Sequence, residues 1–593
     1  MPKYQSSCSI AQASSQLEAG EMVGGGMVGE EKHLPPGQTE MPDRDVHIQK
    51  LGDAGAQDET RHLAGLKLFF AMTSITLLIL LTMLDISIIG TAVPQITSDF
   101  HSLEDISWYS GAYQLASATV QPLTGKIYTY FSIKVHIFWN SYKVNLWANT
   151  AQWTLLAFVL IFEIGSAICG AAQSSPMLII GRAVAGLGCS GLMNGCLTLI
   201  FGAITPEKRT FYTSIAMGVG QIGIVFGPFL GGIFTEHASW RWCFYINLPL
   251  GGLAALLILV IAIPDQIQKE TVSLSLLAKL LPDFDLFGFA LLAPASLMLL
   301  LALQFGASDY SWNSATVIGL FCGSALSTGL FIAWERRVGE KAMIPLRILS
   351  QTTIWTSCLH YAFLIAVTTG GGYFLPIYLQ SVKGLSPTMS AVYMLPTILL
   401  SVVYVILSGA LMPRFGYYVP WAALASGGTA IGCGLISTWT PNSTLGHLIG
   451  YQIIFALRGL GMQMSTVAIP NALPPSEIAI GNSMLVFSQS LFGAILVTAA
   501  NTVFQEILKT NIKNETPSID PIAAIAAGGS AEAVRSLAPS GGDLLRAVLN
   551  VYSKSVGYVY YLLIGACVVS LVASFGMGWV DVRKKKLTGT VPK

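Results

Sequence analysis

The chain has 593 residues, of which 53% are hydrophobic and only 11% charged, and its formal net charge is +1. A soluble globular chain carries roughly 25% charged residues, so this one cannot clothe a water-facing surface of its size, and both a multidomain soluble enzyme and a disordered scaffold are excluded. The near-zero net charge gives no global pull toward nucleic acid.

In chain order, residues 1–65 are polar and rich in Gly, Glu and Gln, without an apolar stretch, and read as a disordered cytoplasmic tail rather than a cleavable signal. From Leu66 onward, apolar runs of about 20 residues recur, the length that crosses a hydrocarbon core. Fourteen are predicted, near 66–90, 106–127, 153–173, 177–202, 212–234, 243–264, 286–306, 315–334, 354–379, 388–412, 420–439, 445–469, 482–506 and 556–580. They divide into a first six-helix bundle over 66–264, an inserted pair with flanking loops over 265–353, and a second six-helix bundle over 354–580. A basic cytoplasmic tail, 581–593, follows. The fold class is therefore all-α and polytopic, with 14 transmembrane helices.

Topology follows from Lys and Arg in the short loops. One set of alternate loops holds Lys126, Lys134, Lys208, Arg209, Lys269, Lys279, Arg336, Arg337, Lys341, Arg347 and Arg414, whereas the other holds only Arg241 and Lys383. With Arg583, Lys584, Lys585 and Lys586 in the tail, both termini are placed in the cytoplasm, which requires an even number of spans. The long loop 507–555, with a short helix near 530–550, falls on the other side. Asn442 and Asn514 stand there in N-x-T sequons, which are either glycosylation sites or chance matches. The nine cysteines are scattered without a C-x-x-C pair, so neither a metal nor a disulfide is indicated.

No phosphate loop, zinc-protease motif or nucleophile elbow occurs: Gly125-Lys126 is followed by Ile127 with no preceding strand. The chain is expected not to be an enzyme and to need no cofactor. The chemistry then rests on the few polar groups inside apolar runs. Asp85 lies in the first run, and an ionisable group there is a functional candidate by default; it either carries a proton or braces neighbouring helix ends. Glu163, in the third run, is the second proton-carrier candidate. Arg182, in GRAVAGLGCSG (181–191), either biases a nearby carboxylate or snorkels to the interface.

GKIYTYFSIK (125–134), with Gly125 and with Lys126 facing the cytosol, closes the second run. A degenerate copy, GALMPRFGYY (409–418), closes the tenth, and two such loops point to an internal repeat. In GQIGIVFGPFLGG (220–232), Gly223, Gly227 and Gly231 line one helix face for close packing, Pro228 bends the run, and Gly232 follows. The Trp and Tyr of SWRWCFYINLPLGG (239–252) suit the interface belt. Gln114, Gln221 and Gln304, the aromatic group Tyr373, Phe374 and Tyr378, and Arg458 in RGLGMQ (458–463) are candidates for lining a substrate cavity. Each has helix–helix packing as its alternative, or snorkelling for Arg458.

Taken together, these motifs resemble the major facilitator superfamily. LD-x-x-I-x-x-x-A-x-P from Leu84, G-P-x-x-G-G from Gly227 and WRWCFYIN-x-P-x-G from Trp240 resemble its fourteen-helix drug:proton antiporter branch. FDLFG (284–288), YFLPIYLQSVKGLSP (373–387) and RGLGMQ resemble fungal toxin and secondary-metabolite efflux pumps within it. The resemblance covers roughly 66–590. It implies two six-helix bundles around a central cavity and proton-coupled export by alternating access. It also implies that Lys134 runs directly into Trp153, whereas here residues 135–152 intervene. That segment reads as a translated, unspliced intron: the Val135 codon can begin with GT, Ala148-Asn149-Thr150 can encode a CTAAC branch site, and Gln152 can end in AG. A genuine loop insert is the alternative.

The expected function is proton-coupled efflux of small organic molecules (toxin, secondary metabolite or drug). A proton-coupled importer of a siderophore or amino acid is the alternative. The expected partners are a small-molecule substrate, protons and the lipid bilayer, with no nucleic acid and a monomeric chain. The expected site is the plasma membrane, with a vacuolar or vesicle membrane as the alternative.

Overall fold

A computed structural model describes residues 63–100, 105–130, 151–261, 285–308, 310–528, 531–539 and 542–582. The tail 1–62, most of 135–152 and the basic residues from Arg583 onward lie outside the described residues. The described chain is helical, and its long helices are α1 (Gly65–Phe100), α2 (Ile106–Tyr130), α3 (Ala151–Gly170), α4 (Ser175–Ala203), α5 (Pro206–His237), α6 (Trp242–Val260), α7 (Leu286–Ser308), α8 (Ala315–Val338), α9 (Thr352–Ile377), α10 (Pro387–Phe415), α11 (Val419–Ser437), α12 (Leu445–Ala472), α13 (Ile478–Glu515) and α14 (Gly542–Gly576). Ala151 and Gln152, the last residues of the suspected insert, open α3, and Gln152 is buried.

Among the described residues, thirteen of these helices are long and apolar enough to cross a membrane. The exception is α2, whose 25 residues have the length but also Gln114, Gln121, Lys126 and several hydroxyl groups. It packs against α4, α13 and α7, so protein rather than lipid covers much of its surface. Helices α1–α6 share one apolar core, in which Leu78, Phe162, Leu192 and Ile258 are buried. A second core, with Phe374, Phe455, Tyr552 and Leu563, joins α9, α11, α12, α13 and α14. Between the bundles, α7 and α8 are clasped by Ser324 Oγ donating to the Ala295 carbonyl (2.8 Å) and Ser327 Oγ to the Leu291 carbonyl (2.7 Å).

The helices alternate in direction, so the described chain enters and leaves on one face, here termed the basal face. Leu63 N bonds the Ala203 carbonyl at the end of α4, and Val582 N bonds the Gly416 carbonyl just after α10. The bundles touch each other at this face. A Cβ on Gly125 in α2 would strike Ser483 of α13, and a Cβ on Gly409 in α10 would strike Ser214 of α5. The two loop motifs of the internal repeat thus supply equivalent glycines, each pressed against the opposite bundle.

Two expectations are corrected, and one span carries an internal break. Residues 507–555 are mostly helix rather than a long loop: α13 reaches Glu515, Pro521–Ala527 and Ala531–Ser536 form short helices, and α14 starts at Gly542. The 38 residues of α13 span about 57 Å at 1.5 Å per residue, well beyond a hydrocarbon core of about 30 Å. Apolar-run length therefore underestimates the helix. The twelfth run is broken, with Leu445–Phe455 followed by a tighter turn at Ala456–Leu460 and then Met464–Ala472. Lys126 does not face solvent; it is buried and its Nζ donates to the Lys341 carbonyl at 2.6 Å.

The stripe Gly223, Gly227 and Gly231 packs α5 onto α1. A Cβ on Gly223 would lie 2.8 Å from the Leu80 carbonyl oxygen, one on Gly227 2.9 Å from Ile88 N, and one on Gly231 2.6 Å from the Ile88 carbonyl oxygen, while Gly232 faces open space. Gly227→Val should destabilise the purified protein by about 1–3 kcal/mol, the usual cost of overpacking, and Gly232→Val should leave its thermal midpoint unchanged. Equal midpoints for the two variants would contradict this seam.

Candidate functional site

The seam brings α1 to the middle of the first bundle, where Asp85 is buried. Its Oδ2 accepts from Arg182 Nη1 of α4 at 2.7 Å, and both side chains are 1% exposed. Its Oδ1 accepts from Asn247 Nδ2 of α6 at 2.8 Å, and that same Nδ2 lies 3.0 Å from Ser166 Oγ of α3. Arg182 Nε donates to the Tyr109 carbonyl of α2 at 2.9 Å. The Tyr113 ring lies 4.3 Å below the guanidinium and the Phe244 ring 5.8 Å away, both at cation–π range. Five helices thus meet at one carboxylate–guanidinium pair.

Glu163 borders this cluster one turn along α3 from Ser166. Its carboxylate presses against the bare Cα of Gly251 in α6, and both of its oxygens are buried without a hydrogen-bond partner. A buried carboxyl group without a hydrogen-bond partner is costly, so the fold does not use Glu163 to brace its neighbours.

The sequence singled out Asp85, Glu163 and Arg182 but not Asn247, Ser166, Tyr109 or Gly251. Asn247 had a signal, a polar side chain in the otherwise apolar stretch after WRWCFYI. The Trp and Tyr of its motif were assigned to the interface belt, and that assignment is corrected for Trp240. Trp240 is buried with its Nε1 donating to Asp99 Oδ2 at 2.8 Å, and Phe244 packs beside Arg182. Trp242, in contrast, is exposed.

The remaining candidates scatter. Gln114 is exposed on α2, Gln221 is half-buried on α5, Gln304 lies in α7 of the inserted pair, and Pro228 points away from the seam on an exposed face of α5. Tyr373 is exposed, but Phe374 and Tyr378 belong to the second core and are corrected as cavity-lining groups. Phe374 lies tilted against Phe504 (ring centroids 5.7 Å apart), and Tyr378 donates to the Thr440 carbonyl (2.7 Å) beside Trp439. Asn442 is exposed in a turn after α11, and Asn514 is exposed in the last turn of α13, both at the face opposite the basal one.

Arg458 occupies a place in the second bundle related to that of Arg182. Gly186 of α4 abuts the Tyr113 carbonyl, and Arg182 bonds Tyr109, four residues earlier on α2. Gly459 of α12 abuts the Ser401 carbonyl, and Arg458 bonds Thr397, four residues earlier on α10. Each guanidinium also sits over an aromatic ring, Tyr113 at 4.3 Å or Phe455 at 4.4 Å.

At the basal face a set of polar contacts ties the connector after α8. Asp285 Oδ2 and Glu335 Oε1 both accept from Met343 N, at 2.9 and 3.1 Å, and Glu335 Oε2 accepts from Ile344 N at 3.1 Å. Asp285 Oδ1 accepts from Trp334 Nε1 at 2.7 Å. Arg347 joins Glu340 (3.1 Å) to Glu477.

Residues 75–497 match the family model for the Major Facilitator Superfamily. The chain is 46% identical to the MFS-type transporter calB of Penicillium decumbens, over 95% of this chain and 96% of that protein. It is 45% identical to the MFS-type transporter pigP of Monascus ruber, over 92% of each. It is 42% identical to the efflux pump mlcE of Penicillium citrinum, over 94% of this chain and 99% of that protein. Among solved structures, a double-tryptophan mutant of XylE superposes with a TM-score of 0.51 at 13% identity, covering 86% of this chain and 96% of that one; this likeness concerns the fold.

Removing one member of a buried ion pair costs about 3–5 kcal/mol, whereas replacing both with apolar groups is far milder. Arg182→Met should therefore lower the unfolding free energy in mild detergent by about that amount, and adding Asp85→Leu should recover much of the loss. Strictly additive losses in this double-mutant cycle would count against the pair.

Proposed function

The chain belongs to the Major Facilitator Superfamily of membrane transporters, and from that premise we propose that it exports small organic molecules in exchange for protons by alternating access. The observation that carries the reading is the buried Asp85–Arg182 pair on the helix clasped by the glycine seam. The relative named as an efflux pump, 42% identical over nearly its whole length, supports the direction of transport.

As a carboxylate, Asp85 binds α1 to α4 through Arg182 and to α6 through Asn247. A proton on Asp85 removes the charge attraction and turns one oxygen from acceptor to donor, which loosens α1 against its neighbours. Access states that differ in this packing then differ in proton affinity, and only such differential affinity lets a proton gradient shift their balance. Glu163, one turn away, is a second proton acceptor in the same cluster. Substrate binding between the bundles favours the opposite state.

The contacts of Gly125 with α13 and Gly409 with α5 hold the basal face closed, and opening there requires both crossings to part. The excess of Lys and Arg in the loops read as cytoplasmic supports a cytoplasmic basal face. A monomer in the plasma membrane, with both termini cytoplasmic, completes the reading.

Asp85→Asn keeps the shape and the Asn247 contact but cannot take up a proton. It should reach the membrane at wild-type level and lose pH-driven export from cells or uptake into inverted vesicles. Wild-type transport should collapse with a protonophore. Full pH-dependent transport by Asp85→Asn would overturn the assignment, and movement of substrate into the cell down the proton gradient would reverse the direction.

A further inference from the structure

The two related arginines differ in one respect. Arg182 is neutralised by Asp85, whereas among the described residues Arg458 has no carboxylate within ion-pairing distance. No Asp or Glu occurs between Glu340 and Glu477, the stretch that forms α9–α12. The acidic residues of α13 and α14, Glu506, Glu515 and Asp543, lie toward the helix ends away from the basal face. Arg458 is 5% exposed, so its charge is largely stripped of water without a fixed partner.

Its hydrogen bonds show which part of the guanidinium is spare. Nη1 donates to Thr397 Oγ1 at 2.9 Å and to the Phe455 carbonyl at 3.1 Å. Nε is buried without an acceptor, and among the described residues Nη2 makes no hydrogen bond either. Nε and Nη2 form the edge of the planar fork that matches the two oxygens of a carboxylate. In Arg182 the corresponding Nε is used by the Tyr109 carbonyl. The backbone is also irregular here: α12 tightens at Ala456–Leu460 around Arg458, and broken helices are the usual place for substrate sites in transporters.

We propose that Arg458 is the anchor for the acidic group of the cargo, and that the protein carries lipophilic organic monocarboxylates through a two-point contact with the Nε–Nη2 edge. A single uncompensated positive charge calls for a monoanion, since a dianionic phosphate would leave net negative charge in the same apolar surroundings. Beside the guanidinium lie Phe455 and Tyr560, aromatic members of the second core, so a cargo that reaches the free edge as the bundle opens meets apolar surface behind its carboxylate. Thr397 and the Phe455 ring hold the guanidinium in place for it. The anion also removes the cost of an isolated buried charge, so cargo binding and closure of the second bundle stabilise each other.

This inference rests on the transport reading above, and the test separates the two. Inverted vesicles carrying the full-length protein are energised with a pH gradient and offered 1-naphthoate and 1-naphthamide, which differ in charge but hardly in size. Wild type should favour the acid. Arg458→Gln should lower the acid-to-amide ratio by about tenfold to a hundredfold, the value of a charged hydrogen-bonded contact, and Arg458→Lys should recover part of it. Pairing of the purified protein with naphthoate should likewise raise the thermal midpoint more than naphthamide does, in wild type and not in Arg458→Gln. Gradient-driven transport of the amide with no preference for the acid, or an acid preference that survives in Arg458→Gln, overturns the anchor while leaving the transport reading intact. Transport of neither compound by wild type, with no thermal shift from either, overturns the anchor as stated for this class; loss of all gradient-driven transport overturns the reading beneath it.

Discussion

A charge inside an apolar bundle has to be neutralised where it lies, because no water is at hand to do it. In the first bundle this constraint is met at Asp85 and Arg182, and the surrounding architecture serves that pair. Helix α5 presents glycines to let α1 come close, α6 turns Asn247 inward, α3 adds Ser166, and α2 lends a backbone carbonyl and the Tyr113 face. The pair is stable only while all of these partners stay in place. In the proposed mechanism, protonating it is what would move a helix.

Close approach is the second organising device, and it is used at two scales. Within the first bundle the stripe of α5 sets the position of α1. Between bundles, Gly125 and Gly409 set how tightly the basal ends meet. The inserted pair α7–α8 is tied into the same face through Lys126, whose ammonium caps the Lys341 carbonyl, and through the carboxylates of Asp285 and Glu335 on the following connector. The extra helices are therefore mechanically linked to the loop motif on α2.

The internal repeat is visible in this geometry, but so is its breakdown. Helices α4 and α12 each carry an arginine held to the neighbouring helix near a glycine crossing, and among the described residues only Arg182 is paired with a carboxylate. A twofold-related scaffold with different charges in its halves gives one half a carboxylate–guanidinium pair and leaves the other a guanidinium without a carboxylate among the described residues. The proposed exchange of a proton for another solute needs such a difference, since the two ligands must act on distinguishable parts of one moving structure.

The sequence by itself determined the class, the helical content and the positions of the spans, because each apolar run of about 20 residues needs only its own composition to be stable in lipid. It also picked out Asp85, Arg182 and Glu163, since an ionisable residue in such a run is conspicuous without knowing its partner. It could not reveal that α13 and α14 run on past the hydrocarbon core, where polar residues sustain a helix as well as apolar ones do. Nor could it sort Phe374, Tyr378 and Trp240 into packed protein rather than a cavity or a lipid-facing belt, because an aromatic side chain is equally at home in either place. Only the tertiary structure decided that Asn247 completes the Asp85 site, that Lys126 is buried, and that Arg458 has its carboxylate-matching edge free. Those facts depend on which helices, distant in sequence, come within hydrogen-bonding reach, and local composition does not encode that.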